Sequence, residues 1–470
     1  MKLLRPLAAA ACVLSLLAGC AVSRPPSEAA STPPPRWYAP LPHGGTLSDL
    51  RRWWQQFDDP LLVDLVAAAQ AVSPDVATAG ARIAEARSNR VASRAAMLPS
   101  LDAGVSATRG NAQVGVPLST VTQAGLQTAW EIDLFGGLGA RLDAAGNRLA
   151  GAEAGWHEAR VAVAAETANG YLDLRTCQAR LVVTRNDAAS RTETARLTGL
   201  SADAGFTAPA VAAQARASAA DAAVLVTQQR AQCDLAVKAL VALTGLPEPD
   251  LRQRLDAPWS EPAGIAPFAI PQLPAALLAQ RPDVYRAEQD VAAASADVGV
   301  ARADRYPRLT LNGQINTGWI RVNGQTSDSV QTWQIGPVAL TVPVFDAGRR
   351  AAVVDAATAR YEEATILYAA RVRLAVREVE EALVNLDSAL SRTEDARIAM
   401  EGYRASYAAA DARFRSGLGT LIELEDQRRL ALVAELALVN VQRDRIAAWI
   451  SLYRALGGGW ERPAAPVARQ

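Results

Sequence analysis

Residues 130–138, with the sequence WEIDLFGGL, mark the place where one backbone pattern gives way to another. Apolar and acidic residues alternate from Trp130 to Leu134, as expected for a β-strand with one apolar face. Two glycines follow, and residues 138–197 then run without proline and are rich in Ala, Arg and Glu. A helix of that length would extend roughly 90 Å, far beyond ordinary globular helices. The stretch therefore predicts a strand that leads into a very long helix.

The long helix is expected to fold back as a hairpin. Its pattern is interrupted from Gly199 to Gly205, and a second helical segment follows over residues 209–243 with proline in its first turn. Gly205 is also the midpoint between Cys177 and Cys233. Antiparallel helices that turn there bring the two cysteines level, so we expect a disulfide in an oxidising compartment. The alternative is two separate buried thiols.

The same structural unit occurs twice in the sequence. The helix break at Gly205 and the helix end at Gly245 recur at Gly417 and Gly457, each 212 positions later. In the second unit, apolar residues step by three and four, as in a coiled-coil seam, at Val376, Val379, Leu383, Leu386 and Leu390. We therefore predict two copies of a strand pair joined to a helical hairpin.

The strands have a consequence for assembly. Each unit contains two predicted strands. Those of the first unit cover residues 101–108 and 121–135, and those of the second cover residues 309–317 and 333–345. Strands that cross lipid must close into a barrel, because each unpaired backbone group costs several kcal/mol there. Single chains need about eight strands to close, so four predict an oligomer, and three copies would give about twelve with a usable pore. The alternative is a small soluble sheet.

The N-terminus carries an export signal. Two basic residues precede the apolar run over residues 7–17, which is too short to span a bilayer permanently. The sequence LAGC at residues 17–20 matches the bacterial lipobox, in which Cys20 accepts a diacylglycerol and becomes the first mature residue. Ala21 follows, which by similarity to other bacterial lipoproteins favours sorting to the outer membrane. The alternative is an ordinary signal peptide with an incidental cysteine.

Composition argues against an enzyme. The chain has two histidines, His43 and His157, so no triad, zinc site or acid–base pair is expected. Three methionines are too few for a soft-metal relay, and no phosphate-binding loop is found. A net charge of zero gives no basis for nucleic-acid binding. We expect no metal and no cofactor apart from the lipid on Cys20.

Four motifs resemble those of the outer-membrane factor family of TolC and OprM type. They are WWQQFDDPLL at residues 53–62, WEIDLFG at 130–136, LLAQRPDV at 277–284 and YRALGGGW at 453–460. The similarity is strongest to the NodT-type lipoprotein branch, which serves resistance-nodulation-division pumps. The resemblance implies a homotrimer with a twelve-stranded β-barrel, a periplasmic α-helical barrel and an equatorial domain. It also implies two partners, a periplasmic adaptor (membrane fusion) protein and an inner-membrane resistance-nodulation-division transporter.

The expected fold class is thus an α+β membrane protein with an internal two-fold repeat. We expect it in the outer membrane, lipid-anchored and extending into the periplasm. The expected segments are a signal peptide over residues 1–19, a lipidated Pro-rich tether over 20–47, a first repeat over 48–246, a connector or equatorial segment over 247–273, a second repeat over 274–457 and a C-terminal tail over 458–470.

The resemblance also implies a constriction at the hairpin tips. The positions that match the family's inward-facing acids are Glu423 and Asp426, whose i, i+3 spacing places both on one helical face. Threefold symmetry would stack them as two acidic rings that bind cations. The alternative is a solvated helix start, where acids favour the helix dipole. Gly419 stands where relatives place a charged residue, so Phe414 and Leu418 are further candidates for the constriction.

These expectations lead to one function and two alternatives. The expected function is the outer-membrane channel of a tripartite efflux pump, through which small organic compounds leave passively. A type I protein secretion duct would have the same fold. A lipid-anchored periplasmic helical scaffold would need no membrane-spanning strands.

Overall fold

The computed structural model describes residues 22–30, 33–34, 37–39, 53–55, 57, 59–111, 117–256, 280–322, 325–327 and 329–463. The predicted signal peptide, Cys20 and most of the predicted connector lie outside these residues. The described helices are Pro60–Val72 (α1), Pro74–Ala95 (α2), Gly137–Asp203 (α3), Pro209–Thr244 (α4), Glu248–Leu255 (α5), Pro282–Ala303 (α6), Arg349–Arg415 (α7) and Leu421–Ala455 (α8). The described strands are Ser100–Gly110 (β1), Ser119–Ile132 (β2), Arg308–Val322 (β3), Gln325–Thr326 (β4) and Val330–Thr341 (β5).

The chain divides into two compact units. The first, which we call the strand unit, comprises Met1–Ser31, Gly80–Ala154 and Tyr285–Arg371. The second, which we call the hairpin unit, comprises Thr32–Ala79, Gly155–Val284 and Val372–Gln470. Among the described residues, no single helix is long and apolar enough to cross a membrane, although the bent pair α1 and α2 meets both criteria together.

The strand unit contains one antiparallel sheet. Its long strands lie in the order β1-β2-β3-β5, and β4 pairs with the end of β3. The two repeats meet where β2 pairs with β3, from Ser119 opposite Val322 to Ile132 opposite Leu309. Apolar side chains project outward from the edge strands, with Val105 80% and Ile335 82% exposed. Such a surface is typical of strands that face lipid.

Two strands end earlier than the sequence predicts. β2 ends at Ile132 rather than at residue 135, because the Asp133 carboxylate accepts hydrogen bonds from two backbone N–H groups at the start of α3, at 3.1 and 2.7 Å. β5 ends at Thr341 rather than at residue 345, just before Pro343, which has no N–H to donate across a sheet. An acidic helix cap and a proline therefore accompany the two changes of backbone direction.

The two repeats form helical hairpins of the same construction. α3 and α7 are each 67 residues long, and each therefore extends about 100 Å. Each hairpin turns at a glycine with positive φ, +76° at Gly205 and +79° at Gly417, a conformation that glycine adopts without strain. In both turns the next residue bonds back to the end of the long helix, Phe206 N to Ser201 O at 2.9 Å and Leu418 N to Arg413 O at 2.8 Å.

An aromatic cluster forms part of the core of the hairpin unit. Trp53 is fully buried and stacks on Tyr453, with ring centroids 4.9 Å apart. Trp54 and Phe57 pack edge-on against Trp53 at 4.7 and 5.0 Å. Burial of several large rings contributes strongly to stability, at roughly 25 cal/mol for each Å² of apolar surface. Trp53, Trp54 and Phe57 thus join the end of α8 within one core.

The motif that contains Arg281 closes the C-terminal end of α8. The guanidinium of Arg281 is buried and donates to both carboxylate oxygens of Asp283, at 2.9 and 2.7 Å, and to Glu378 at 2.7 Å. Its remaining nitrogen donates to the carbonyl of Ala455 at 2.7 Å. A helix end leaves carbonyls without partners, so Arg281 satisfies one of them, while the carboxylates of Asp283 and Glu378 pair with its charge.

Candidate functional site: the hairpin tips

Both hairpin tips expose large apolar side chains. Phe206 is 86% exposed at the first tip and Leu418 is 76% exposed at the second. On α3, before the first tip, hydrogen bonds from Arg196 lower the pKa of the Glu193 carboxyl. This carboxyl therefore stays charged. Each tip thus presents an exposed apolar side chain, and α3 carries a solvated ion pair behind the first tip.

The two predicted aperture acids lie at the start of α8. The hydroxyl of Thr420 caps this helix by accepting a hydrogen bond from Glu423 N at 3.2 Å. The Glu423 carboxylate pairs with Arg413 at 2.7 Å, and Asp426 pairs with Arg429 at 3.4 Å. Both acids remain accessible to solvent, and each has an arginine of the same hairpin beside it. Their assignment to acidic rings stays a prediction.

The other predicted constriction residues lie at the end of α7 and in the turn that follows it. Phe414 is half-buried at the end of α7, whereas Leu418 projects outward. A side chain at Gly419 would come within 3.1 Å of Phe414 N and 3.3 Å of the Arg413 carbonyl carbon. Gly419 therefore allows a close backbone approach between the turn and the end of α7.

A buried polar network ties the two hairpins together behind the tips. The Glu425 carboxylate of α8 accepts hydrogen bonds from Arg191 of α3 at 2.6 Å and from Ser218 of α4 at 3.0 Å. It also pairs with Arg428, one turn further along α8. The Arg191 guanidinium continues the network to Asp187 at 2.9 Å. Two arginines and two acids make the network electrically neutral.

Arg428 is the most deeply buried member, with 3% of its side chain exposed. It donates to the hydroxyl of Thr194 at 2.8 Å, and its guanidinium lies 5.5 Å from the centre of the Tyr407 ring. The network fixes the register of α8 against α3, since buried charges tolerate little displacement. Sequence reasoning missed it, because Glu425 and Arg428 alone give only an i, i+3 pair that many solvated helices carry.

Cys177 of α3 and Cys233 of α4 form a disulfide, with their Cα atoms 5.5 Å apart. This agrees with the pairing expected from their equal distance to the turn at Gly205. Both cysteines are buried, and the side-chain amide of Gln229 lies 3.0 Å from the sulfur of Cys177. The bond joins the two arms of the first hairpin, so its role is structural.

The start of the predicted tether is held in the strand unit. Val22 N donates to the carbonyl of Phe135 at 3.4 Å, directly after the end of β2. Arg24 pairs with Asp143 of α3 at 2.8 Å, and Ser295 of α6 donates to the carbonyl of Pro25. The segment over residues 22–25 therefore lies where the sheet gives way to the long helices.

Within the described ranges, no three His, Cys, Asp or Glu side chains are close enough together to hold a metal ion. The expectations of no metal and no enzymatic activity stay predictions.

A chain that combines long paired helical hairpins with a sheet of outward apolar residues defines a class of membrane channel. A family model for outer membrane efflux proteins matches residues 65–246 and 273–458, and the chain belongs to that family.

Individual relatives cover nearly the whole chain. The pyoverdine export outer membrane protein OpmQ of Pseudomonas putida is 31% identical, over 95% of this chain and 96% of its own length. The toluene efflux pump outer membrane protein TtgI of Pseudomonas putida is 28% identical, over 95% and 97%. The solved outer-membrane channel OprN is 31% identical with a TM-score of 0.82, over 93% of this chain and 98% of its own.

These comparisons confirm the resemblance found in the sequence and the predicted fold class, a trimeric α+β membrane channel with a β domain and a helical barrel. The chain is an outer-membrane efflux channel protein.

Proposed function

We propose that three copies of this chain form the exit duct of a tripartite pump for small organic compounds. An inner-membrane resistance-nodulation-division transporter would supply the energy, and a periplasmic adaptor protein would join it to the hairpin tips. The observation that carries the proposal is the pair of 67-residue helices whose turns expose Phe206 and Leu418, an apolar surface suited to protein contact. Relatives named for pyoverdine export and toluene efflux support a small organic cargo.

The test is accumulation of a fluorescent organic dye in a strain that lacks this chain. We expect higher dye retention than in the parent strain and restoration by the full-length chain. A strain that exports dye normally but fails to secrete a large protein would instead favour a type I secretion duct.

We propose that Glu423 and Asp426 form the acidic constriction at the periplasmic end, with Phe414 and Leu418 beside them. The exposure of both acids and their position one turn apart on α8 support this role. In reconstituted bilayers, Glu423→Ala with Asp426→Ala should weaken block by divalent cations and reduce cation preference.

The matched control is Glu394→Ala with Glu401→Ala. Those two acids of α7 are also exposed and also pair with an arginine, Arg397. Unchanged cation block in the aperture variant, or an equal change in the control, would contradict the ring assignment.

We propose that Cys20 carries the lipid and that the anchor lies beside the sheet. Val22 is two positions after Cys20 in the chain, a distance that spans at most about 7 Å when extended. Val22 bonds to Phe135, three residues after β2 ends, so the acyl chains would enter the membrane at the level where the strands leave it. Mass spectrometry of the mature N-terminal peptide should find a diacylglyceryl cysteine, and an unmodified N-terminus would contradict the proposal.

A further inference from the structure

The first hairpin packs on the second through α3 and α8, and two polar pairs set the register of that contact. Arg180 Nε donates to the side-chain oxygen of Asn440 at 2.9 Å. Arg428 Nη2 donates to Thr194 Oγ1 at 2.8 Å. All four residues belong to the hairpin unit.

The internal repeat gives this contact a counterpart. α3 and α7 have equal lengths, and the turns at Gly205 and Gly417 lie 212 positions apart, as do the helix ends at Gly245 and Gly457. Each residue of one hairpin therefore corresponds to a residue 212 positions away in the other. Under that relation α3 corresponds to α7 and α8 corresponds to α4. The counterpart of the α3–α8 contact is a contact between α7 and α4.

The chemistry of the polar pairs is preserved at the counterpart positions. Arg180 and Asn440 correspond to Arg392 of α7 and Gln228 of α4, again an arginine and a side-chain amide. Thr194 and Arg428 correspond to Ser406 of α7 and Arg216 of α4, again a hydroxyl and an arginine. All four counterpart side chains are exposed.

An apolar pair follows the same relation. Leu172 of α3 is buried in the core, and Ala447 of α8 packs against that core. Their counterparts are Val384 of α7, which is 55% exposed, and Leu235 of α4, which is 69% exposed. Both pairs are wholly apolar, and the counterpart pair is the larger by two carbon atoms. Large apolar side chains exposed at two matching places indicate a surface that is covered in the assembled protein.

The order of the four helices shows why the exposed surfaces of α4 and α7 would be covered by another copy of the chain. The disulfide holds α4 beside α3, polar pairs hold α8 beside α3, and Arg404 of α7 pairs with Glu435 of α8 at 3.0 Å. Near the tips the contacts also cross this order, since Ser218 of α4 bonds to Glu425 of α8 and Ser190 of α3 bonds to Tyr407 of α7. The order along the hairpins is α4-α3-α8-α7, with α4 and α7 at its two ends. A junction between the ends repeats the internal junction when copies stand side by side.

We infer that α7 of one copy packs on α4 of the next in the register of the internal α3–α8 contact, so that Val384 meets Leu235, Arg392 meets Gln228 and Ser406 meets Arg216. The inference rests on the trimer of the proposed function and adds the residue register of its helical seam.

The test is cysteine cross-linking in the purified full chain. Leu235→Cys with Val384→Cys, treated with copper phenanthroline or with a short bismaleimide, should give dimers and covalent trimers on denaturing gels. Each single variant should stay monomeric. Two chains that carry one substitution each, when expressed together, should give dimers but no covalent trimer.

The matched control is Leu235→Cys with Ile398→Cys. Ile398 is also 55% exposed on α7, but it lies 14 positions, or about 21 Å, beyond Val384. Cross-linking by the control and not by the matched pair would overturn the register. If mass measurement in detergent finds trimers while the matched pair fails with both reagents, the register is wrong and the channel function stands. A chain that is monomeric throughout would contradict the proposed function itself.

Discussion

Arg428 and Arg429 are neighbours in the chain with opposite surroundings. Arg428 is buried among Glu425, Thr194 and Tyr407, whereas Arg429 is 68% exposed and pairs with Asp426 at 3.4 Å. Removal of one partner from a buried ion pair costs about 3–5 kcal/mol, because it leaves the other charge uncompensated. An exposed pair contributes at most about 1 kcal/mol.

We therefore expect Arg428→Ala to lower the free energy of unfolding by about 3 kcal/mol and Arg429→Ala to change it by less than about 0.5 kcal/mol. Thermal unfolding followed by circular dichroism in detergent measures both. Equal losses in the two variants would show that the buried network does not stabilise the hairpins.

Substitution of glycine by alanine is expected to have opposite effects on stability at two positions. Gly457 has a φ of +80°, and a Cβ there would lie 2.6 Å from the Gln280 carbonyl oxygen. Gly402 lies inside α7 with nothing within 4 Å of the added carbon. Gly457→Ala should cost at least about 1–2 kcal/mol from backbone strain, whereas Gly402→Ala should add roughly 0.5–1 kcal/mol. Unfolding temperatures that move in the same direction would contradict this prediction.

At the scale of an element, the disulfide stabilises the first hairpin. It joins residues separated by 56 positions across the turn, and the loop-entropy account assigns about 4 kcal/mol to a loop of that size. Cys177→Ser with Cys233→Ser should lower the unfolding temperature, and reducing agent should destabilise the native chain while leaving the variant unchanged. Equal sensitivity of both chains to reductant would mean that the bond contributes nothing.

Some elements could be predicted from the sequence, because their signals are local. A proline-free run, a glycine turn and an offset of 212 positions predict two long hairpins, and the structure contains them. The end of β2 was predicted too late, since alternation continues through Asp133, whose side chain caps the next helix. The Glu425–Arg191 pair could not be predicted, because it depends on the register between helices that lie 234 positions apart in the chain.

At the scale of the whole molecule, the lipid that we propose on Cys20 would add a second membrane attachment to the one that the strands provide. The variant carries Cys20→Ser and is exported by an ordinary signal peptide in place of its own. It should no longer be labelled by radioactive palmitate. It should still fractionate with the outer membrane after a high-salt wash, because the strands, with Val105 and Ile335 outward, hold it there. Release of that variant into the soluble periplasmic fraction would show that the lipid alone retains the protein.

The equal length of α3 and α7 limits how such a duct can change during evolution. An extra residue in one long helix would rotate everything beyond it by about 100° and would misalign Arg191 with Glu425. A tolerated insertion must therefore occur in both repeats at once and in steps of about seven residues, each adding roughly 10 Å. Related channels in bacteria with a wider or narrower cell envelope would therefore differ in the length of their long helices by discrete steps.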